Sequence, residues 1–441
     1  MLETMRNAWK IDELRKKILF TLFIILLYRI GNAVPVPYVN VELLAQQFNQ
    51  LQNTYLGLVN TMSGGAFATA TIFALSIQPY INASIIMQLL TIAIPALERL
   101  QKDGGEEGKK KIASITRYAT VGIGLLQGFA FYMLLKNGMN GVSLLNGGTG
   151  VWEMIVIILT FTAGSALIMW LGEQVTEFGI GNGISIILFA SIVSRFPEQV
   201  GSLITGVFGT PATPGTVPWW LAVLMLLGVL VIIVLIVIVT NAERRIPIQY
   251  SKRVVGRKMY GGQSTHLPMK VNMTGVLPVI FAQSIASMPA TILMMFGITE
   301  ESVGFWGSFL KAFNHTQPLY AIIYLLLIVF FAYFYSTIQF NPVEIANNLK
   351  KNGGFIPGYR PGRPTSEFIM RSLNKITLFG AIYLGIVAIS PLIVGMISKD
   401  AANLGISLGG TSVIIVIGVA LETVKALEAQ MIMRNYKGFL E

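Results

Sequence analysis

The residues of this chain that are equipped for chemistry are few, and they do not suit an enzyme. Cysteine is absent and there are two histidines, His266 and His315. These are too few and too far apart in sequence to suggest a metal site, and no thiolate is available. There is no phosphate-binding loop, metal-ligand cluster or Ser/His/Asp arrangement. No cofactor is expected, and any ATP used on the chain's behalf must be hydrolysed by a separate partner. What remains are amides and hydroxyls set inside apolar stretches. The densest set lies in residues 61–97, TMSGGAFATATIFALSIQPYINASIIMQLLTIAIPAL. A small-residue run, Ser63-Gly64-Gly65-Ala66, precedes an apolar segment holding Gln78, Pro79, Asn82, Ser84 and Gln88. At about 100° per residue, Ile77, Ile81, Ser84 and Gln88 share a stripe roughly 60° wide, and Asn82 points some 100–160° away. Amides and hydroxyls facing lipid are costly without partners, so this helix is expected to line something. Gln127 and Gln283, in other apolar stretches, extend the set. The chemistry implied is non-covalent. Hydrogen bonds of ~0.6–2 kcal/mol each hold helices together and still let them separate.

A second set is aliphatic. Ile77 and Ile81 are one turn apart, as are Ile184 and Leu188, and Ile280 follows Pro278. Each alone reads as core packing. Together they would form an apolar constriction, which blocks ions by dewetting and still deforms around a large solute.

These side chains must be positioned by membrane helices. The 441 residues are 54% apolar and only 12% charged, with mean hydropathy +0.65, whereas soluble domains run near 25% charged. Ten spans are expected, at about 17–36, 71–97, 114–136, 151–173, 180–197, 218–241, 272–296, 318–340, 373–397 and 409–430. Each is long enough for ~30 Å of hydrocarbon at 1.5 Å per residue. The fifth is crowded at its start by Gly179, Gly181 and Gly183. Arg15-Lys16-Lys17 before an apolar run resembles a signal peptide, with Gly31-Asn32-Ala33 as a passable cleavage site. The apolar pattern resumes many times, however, and the topology needs this helix, so retention is expected. Residues 2–14 read as a short interfacial helix.

Most of the 32 Lys and Arg fall at the two ends and in residues 98–117, 242–270 and 342–375. With ten spans, all these segments lie on one side together with both termini, and the positive-inside rule makes that side cytoplasmic. Ten spans divide as five plus five, and an odd-numbered half gives an inverted repeat if the halves are related. No self-similarity is evident in the sequence.

Two of the basic loops have their own character. In 242–270 the alternation of Ile246, Ile248 and Tyr250, with Gly256 as a turn, predicts a β-hairpin presenting Arg257 and Lys258. A plain positive-inside anchor is the simpler reading. A rigid basic finger suits an RNA backbone or an acidic protein. Residues 342–366 are Gly- and Pro-rich around Arg360 and Arg363 and read as an exposed docking loop.

The segments MSGGAFATATIFALSIQPYINASIIMQLL, GEQVTEFGIGNGISI, QSTHLPMKVNMTGVLP, FNPVEIANNLKKNGGFIPGYRPG and the late GGTS resemble the SecY/Sec61 alpha family, the central subunits of the Sec protein-translocation channel. The match runs from residue 62 to 412, essentially the whole chain. The resemblance implies an all-α polytopic membrane protein. Its ten transmembrane helices would form an hourglass of two pseudo-symmetric five-helix halves, 17–200 and 201–441, after a cytoplasmic amphipathic N-terminus, 1–16. A re-entrant plug helix would fall at about 56–70 and include Met62, Ser63, Gly64, Gly65, Ala66 and Phe67. The implied pore ring is Ile77, Ile81, Ile184, Leu188, Ile280 and Ile415, with Leu188 where isoleucine is common. The lateral gate would lie between the helix after the plug and the seventh span, with Asn82, Ser84, Gln88, Gln127, Gln283 and Ser284 as candidates. Arg244, Arg245, Arg257, Lys258, Lys350, Lys351 and Arg360 would dock a SecA motor ATPase or a ribosome.

The same resemblance implies SecE-like and SecG-like subunits. Substrates would be signal peptides and unfolded preproteins, with membrane lipid receiving apolar segments, in a bacterial plasma membrane. The expected function is a protein-conducting channel. The alternatives are a secondary transporter of small solutes, which mid-membrane ionisable residues would favour, and a structural scaffold, which leaves the polar seam unexplained.

Overall fold

Long apolar runs without interior breakers fold as helices here, and Gly, Pro and Asn mark their ends. The computed structural model describes residues 2–48, 55–138, 143–146, 150–209, 218–250, 253–255, 258–260, 264–295, 304–313, 317–397 and 410–437. The N-terminal segment is a short helix, α1 (Leu2–Trp9), separate from the first long one, α2 (Asp12–Gly31). Ala8 and Leu14 pack with Ile180 and Leu427. This segment therefore leans on distant regions of the protein, whereas residues 2–14 read as one interfacial helix. Two short helices follow, α3 (Val41–Phe48) and α4 (Tyr55–Met62).

The single helix expected over 71–97 is not what forms. Residues 63–77 run mainly as turns, with left-handed backbone at Ala70 (φ 41°) and Ser76 (φ 51°). Helix α5 (Gln78–Ala93) begins only at Gln78, with Pro79 in its first turn. Proline suits that position, because its φ is preset and the N–H it lacks has no partner there. The other end is set by Pro95, which drives Ile94 to extended backbone (φ −107°, ψ 111°). The chain bends by 104° into α6 (Pro95–Lys102). Ile77 is thus the residue before the helix, and the stripe proposed for it is helical only from Ile81 onward.

Helices α7 (Gly105–Asn137) and α8 (Val151–Phe178) come next. Helix α9 (Gly183–Ser194) is capped by Asn182, whose Oδ1 accepts from the Ile184 and Ser185 amides at 3.1 and 3.4 Å. Gly179 and Gly181 therefore lie ahead of the fifth span's helix, with Gly181 left-handed (φ 69°), and Gly183 opens it. Helix α10 (Phe196–Phe208) continues past Arg195, and α11 (Trp219–Asn241) follows. Helix α8 closes directly on the turn segment. A Cβ at Gly164 would lie 1.8 Å from the Ile72 carbonyl oxygen. Gly164→Ala must therefore push the two backbones away from each other, which costs on the order of 1–3 kcal/mol. A lowered Tm in detergent is the expected result, and a Tm equal to the parent's would contradict the contact.

The two basic loops contain strands, so the fold is not purely helical. In 242–270 these are β1 (Glu243–Tyr250), β2 (Arg253–Val255), β3 (Lys258–Tyr260) and β4 (Ser264–Lys270). Then come α12 (Leu277–Met295), α13 (Phe305–Ala312), α14 (Pro318–Gln339), α15 (Pro342–Lys351), β5 (Gly354–Phe355), α16 (Arg363–Ile397) and α17 (Gly410–Lys437). Strand β1 pairs antiparallel with β4, from Glu243↔Lys270 to Gln249↔Ser264, and β2 with β3. This is the expected hairpin, in two tiers. Its other edge receives β5, with Gln249↔Phe355 and Tyr250↔Gly354. The two loops therefore share one three-stranded sheet, ordered β4-β1-β5. Ile246, Ile248 and Met269 of the hairpin pack on Leu349, Ile369 and Leu373 beneath it.

Helices occupy all ten expected positions. Among the described residues, seven helices are long and apolar enough to cross a membrane, and the bent pair α5–α6 makes an eighth. The first and seventh positions fall short of that test. Helix α2 includes Asp12, Glu13, Arg15, Lys16, Lys17 and Arg29 in its 20 residues, and the apolar stretch of α12 is Leu277–Ala290.

Candidate functional site

The largest apolar cluster draws on both halves of the chain, and the aliphatic residues singled out above meet in it. Ile77 and Ile81 enter from the start of α5, Leu188 from α9, Ile280 from the first turn of α12 and Ile415 from α17. All five are buried, and Ile184 packs half-buried against them. Residues on four separate helices thus share one continuous apolar cluster. The Asn182 cap fixes where α9 starts, and so sets Ile184 and Leu188 on successive turns toward the cluster.

Met62, at the end of α4, belongs to the same cluster. The segment around it is helical only as far as Met62, which corrects the expectation of a helix across 56–70. Beyond it, Gly64 and Gly65 take left-handed backbone (φ 68° and 92°), and Ser63, Ala66 and Phe67 are buried. The segment is tied down from several sides. The Ser63 carbonyl accepts from Tyr28 Oη at 3.2 Å and Asn32 Nδ2 at 3.4 Å. Tyr28 Oη also lies 2.7 Å from Ser191 Oγ of α9. Asn60 Oδ1 accepts from the Ala68 amide at 2.9 Å, and Ser63 Oγ accepts from the Phe67 amide at 3.1 Å. The Phe67 ring stacks on Phe131 of α7 with centroids 4.2 Å apart. A Cβ at Gly64 would sit 3.0 Å from the Ser191 carbonyl oxygen, so this backbone approaches α9 as closely as glycine allows.

Tyr28, Asn60 and Ser191 escaped the sequence reading, and Asn32 entered it only as part of a passable cleavage site. The only available signal was polarity within apolar runs, the same signal that picked out the glutamines.

The polar seam is arranged around α12, which packs against both α5 and α7. The expectation of two facing helices therefore needs a third flank, and Gln127 lies half-buried on it. Asn82, Gln283 and Ser284 are buried. Gln88 Nε2 reaches Ser84 Oγ at 3.5 Å, one turn away on α5. Gln283 Nε2 and Gln78 Nε2 donate to the Met62 sulfur, at 3.2 and 3.4 Å. Gln88 Oε1, Gln283 Oε1 and Ser284 Oγ are buried with no hydrogen-bond partner among the described residues. A buried polar atom left this way costs about 1–3 kcal/mol. The seam is thus held by weak bonds and stands to gain from polar groups brought in from elsewhere.

Around the three-stranded sheet, Arg244, Arg245, Lys350, Lys351 and Arg360 are exposed. Arg245 Nη2 contacts Glu243 Oε1 at 2.6 Å. Lys350 and Lys351 end α15, where positive charge complements the helix dipole. Arg360 stands in a turn framed by Gly358 (φ 88°) and Gly362 (φ 106°). Its carbonyl accepts from Thr365 Oγ1 at 2.8 Å, and the neighbouring Tyr359 ring packs 4.2 Å from Phe368. Beside this turn, a cleft of ≈ 450 Å³ runs between α15 and α16, lined by Val343, Ala346, Arg363 and Met370. Arg257 lies outside the described residues, and Lys258 is described as backbone in β3.

The sequence profile of the SecY family matches residues 71–424. The chain is 44% identical over 463 aligned residues to the protein translocase subunit SecY of Streptomyces coelicolor, and 42% over 452 to that of Mycobacterium tuberculosis. Both alignments span the full length of both chains. Among solved structures it is similar to "The structure of a protein conducting channel" (TM-score 0.62, 17% identity). It is also similar to Sec61 in the canine ribosome–channel complex from the endoplasmic reticulum (TM-score 0.57, 16% identity). Each likeness covers 95% of this chain and 92% of the other. The structural likenesses speak for the fold. The profile match and full-length identities go further, and on them the chain belongs to the SecY family.

Proposed function

We propose that the chain is the channel subunit of a bacterial protein translocase. It passes unfolded, signal-bearing polypeptides across the plasma membrane and releases apolar segments sideways into lipid. It is no enzyme, and the motor is a partner. The observation that carries this reading is the convergence of Ile77, Ile81, Leu188, Ile280, Ile415 and Met62 in one apolar cluster. An aliphatic waist closed by a short segment resists ions by dewetting and yields to a chain. In this reading ten helices in two five-helix halves surround an hourglass, with both termini cytoplasmic. Ile77, Ile81, Ile184, Leu188, Ile280 and Ile415 form the ring, and residues 56–70 form the plug. Gln88, Gln283 and Ser284 line a gate between α5, α7 and α12. The small-solute transporter reading is set aside, because family membership points to a translocase and the buried polar groups of the seam are amides and hydroxyls.

The joined sheet and the Arg360 turn are the docking surface for a SecA-like motor or a ribosome, with SecE-like and SecG-like subunits completing the complex. The test is reconstitution in proteoliposomes with these partners and a signal-bearing precursor. ATP-dependent protection of the precursor from protease is expected, and none would overturn the reading. Arg360→Glu should lower that export about tenfold or more, since reversing a docking charge puts like charges together, while membrane insertion of the chain stays normal. Parental export by this variant would defeat the docking assignment.

A further inference from the structure

Two carboxamides share one sulfur. Gln283 Nε2 lies 3.2 Å and Gln78 Nε2 3.4 Å from the Met62 Sδ, and the three residues are 2%, 8% and 3% exposed. They come from three elements. Gln78 opens α5, Gln283 stands in the second turn of α12, and Met62 closes α4. The next residue, Ser63, has its carbonyl held by Tyr28 and Asn32. A thioether is a weak acceptor on a flexible stem, so it can hold two amide donors without binding either tightly. Among the described residues, neither Gln283 Oε1 nor the neighbouring Ser284 Oγ has a hydrogen-bond partner.

We propose that Met62 is a positioning residue that latches the plug to the gate. Its sulfur accepts from both flanks of the seam at once. Separating α12 from α5 withdraws a donor and loosens the plug. A plug that leaves frees Gln78 and Gln283 to bond an entering polypeptide. By linkage, the gate opens more readily when the plug is out, and the plug leaves more readily when the gate is open. The inference rests on the plug and gate reading above.

The absence of cysteine makes a clean test available. Ala66 is buried in the plug segment, which faces away from the cytoplasm in the proposed topology, so Ala66→Cys reports plug release through labelling by a membrane-impermeant maleimide enclosed in the lumen of proteoliposomes whose cytoplasmic face is outward. Met62→Leu keeps the volume and removes the acceptor. It should raise resting labelling several-fold, and Gln283→Leu should do the same. The double variant should label no faster than Met62→Leu alone, because that substitution already removes the contact Gln283 makes. Labelling at the parent's rate in Met62→Leu, or two effects that multiply, would overturn the latch. Should Met62→Leu not yield a monodisperse protein, Gln283→Leu and Gln78→Leu carry the test, with parental labelling in both overturning it. In the Ala66→Cys parent, engaging a signal-bearing precursor must raise labelling, and no rise there sinks the plug reading and the latch together. A rise there, with Met62→Leu unchanged at rest, sinks the latch alone.

Discussion

Ile280→Asp raises the resting ion conductance of the reconstituted channel at least tenfold. Ile280 is 7% exposed and lies in one cluster with Ile81, Leu188 and Ile415. An all-aliphatic waist excludes water because nothing in it repays the hydrogen bonds that water gives up on entering. A carboxylate reverses this, since an ionised group in an apolar site costs far more than its neighbours can absorb and it recruits water instead. Once wet, the waist passes ions. Ile81→Asn should leak in the same direction and less, because an amide needs water but carries no charge. Ile280→Leu should stay tight, because apolarity and not shape keeps the waist dry. Planar-bilayer recordings decide the matter. Parental conductance in Ile280→Asp would remove Ile280 from the seal, and leak in Ile280→Leu would show that shape matters after all.

A disulfide between α5 and α12 stops export, with a loss of tenfold or more that reductant reverses. These helices pack against each other. An entering helical signal about 10–12 Å across has to separate them to reach lipid. A disulfide holds its Cβ atoms within about 3.5–4.5 Å, so the seam cannot widen by that amount. The pair is introduced where the two helices approach to that spacing, in a chain with no cysteine of its own. A flexible crosslinker longer than the signal's diameter, placed on the same pair, should restore export. Parental export with the pair fully oxidised would end the lateral-gate reading, whatever the fate of the waist.

Much of the fold was legible because it is written in local properties. Hydropathy marks where helices run, and α7, α8, α11 and α14 begin and end close to their expected positions or extend beyond them into polar residues. The misread helix is instructive. Residues 71–77 are as apolar as the helix that follows, so hydropathy alone ran them together. Pro79 and Pro95 were the local signs of both true ends, a proline in the first turn and a proline that forces its predecessor out of helix. The alternation Ile246, Ile248, Tyr250 told of a strand correctly, because period two is local as well. It could not tell that β5, about a hundred residues further on, completes the sheet.

The sequence by itself determined the class of protein, the places of its helices, the basic hairpin and the short roll of polar and aliphatic residues worth watching. Tertiary structure alone decided which of them meet. Gln283 and Met62 are 221 residues apart, and Tyr28 and Ser191 are 163 apart. No periodicity reaches across such distances. Side chains meet there because helices pack in three dimensions to bury apolar faces and to satisfy the backbone of a segment that is not itself a helix. That packing depends on the whole chain at once, whereas hydropathy and helix ends depend on a few neighbours.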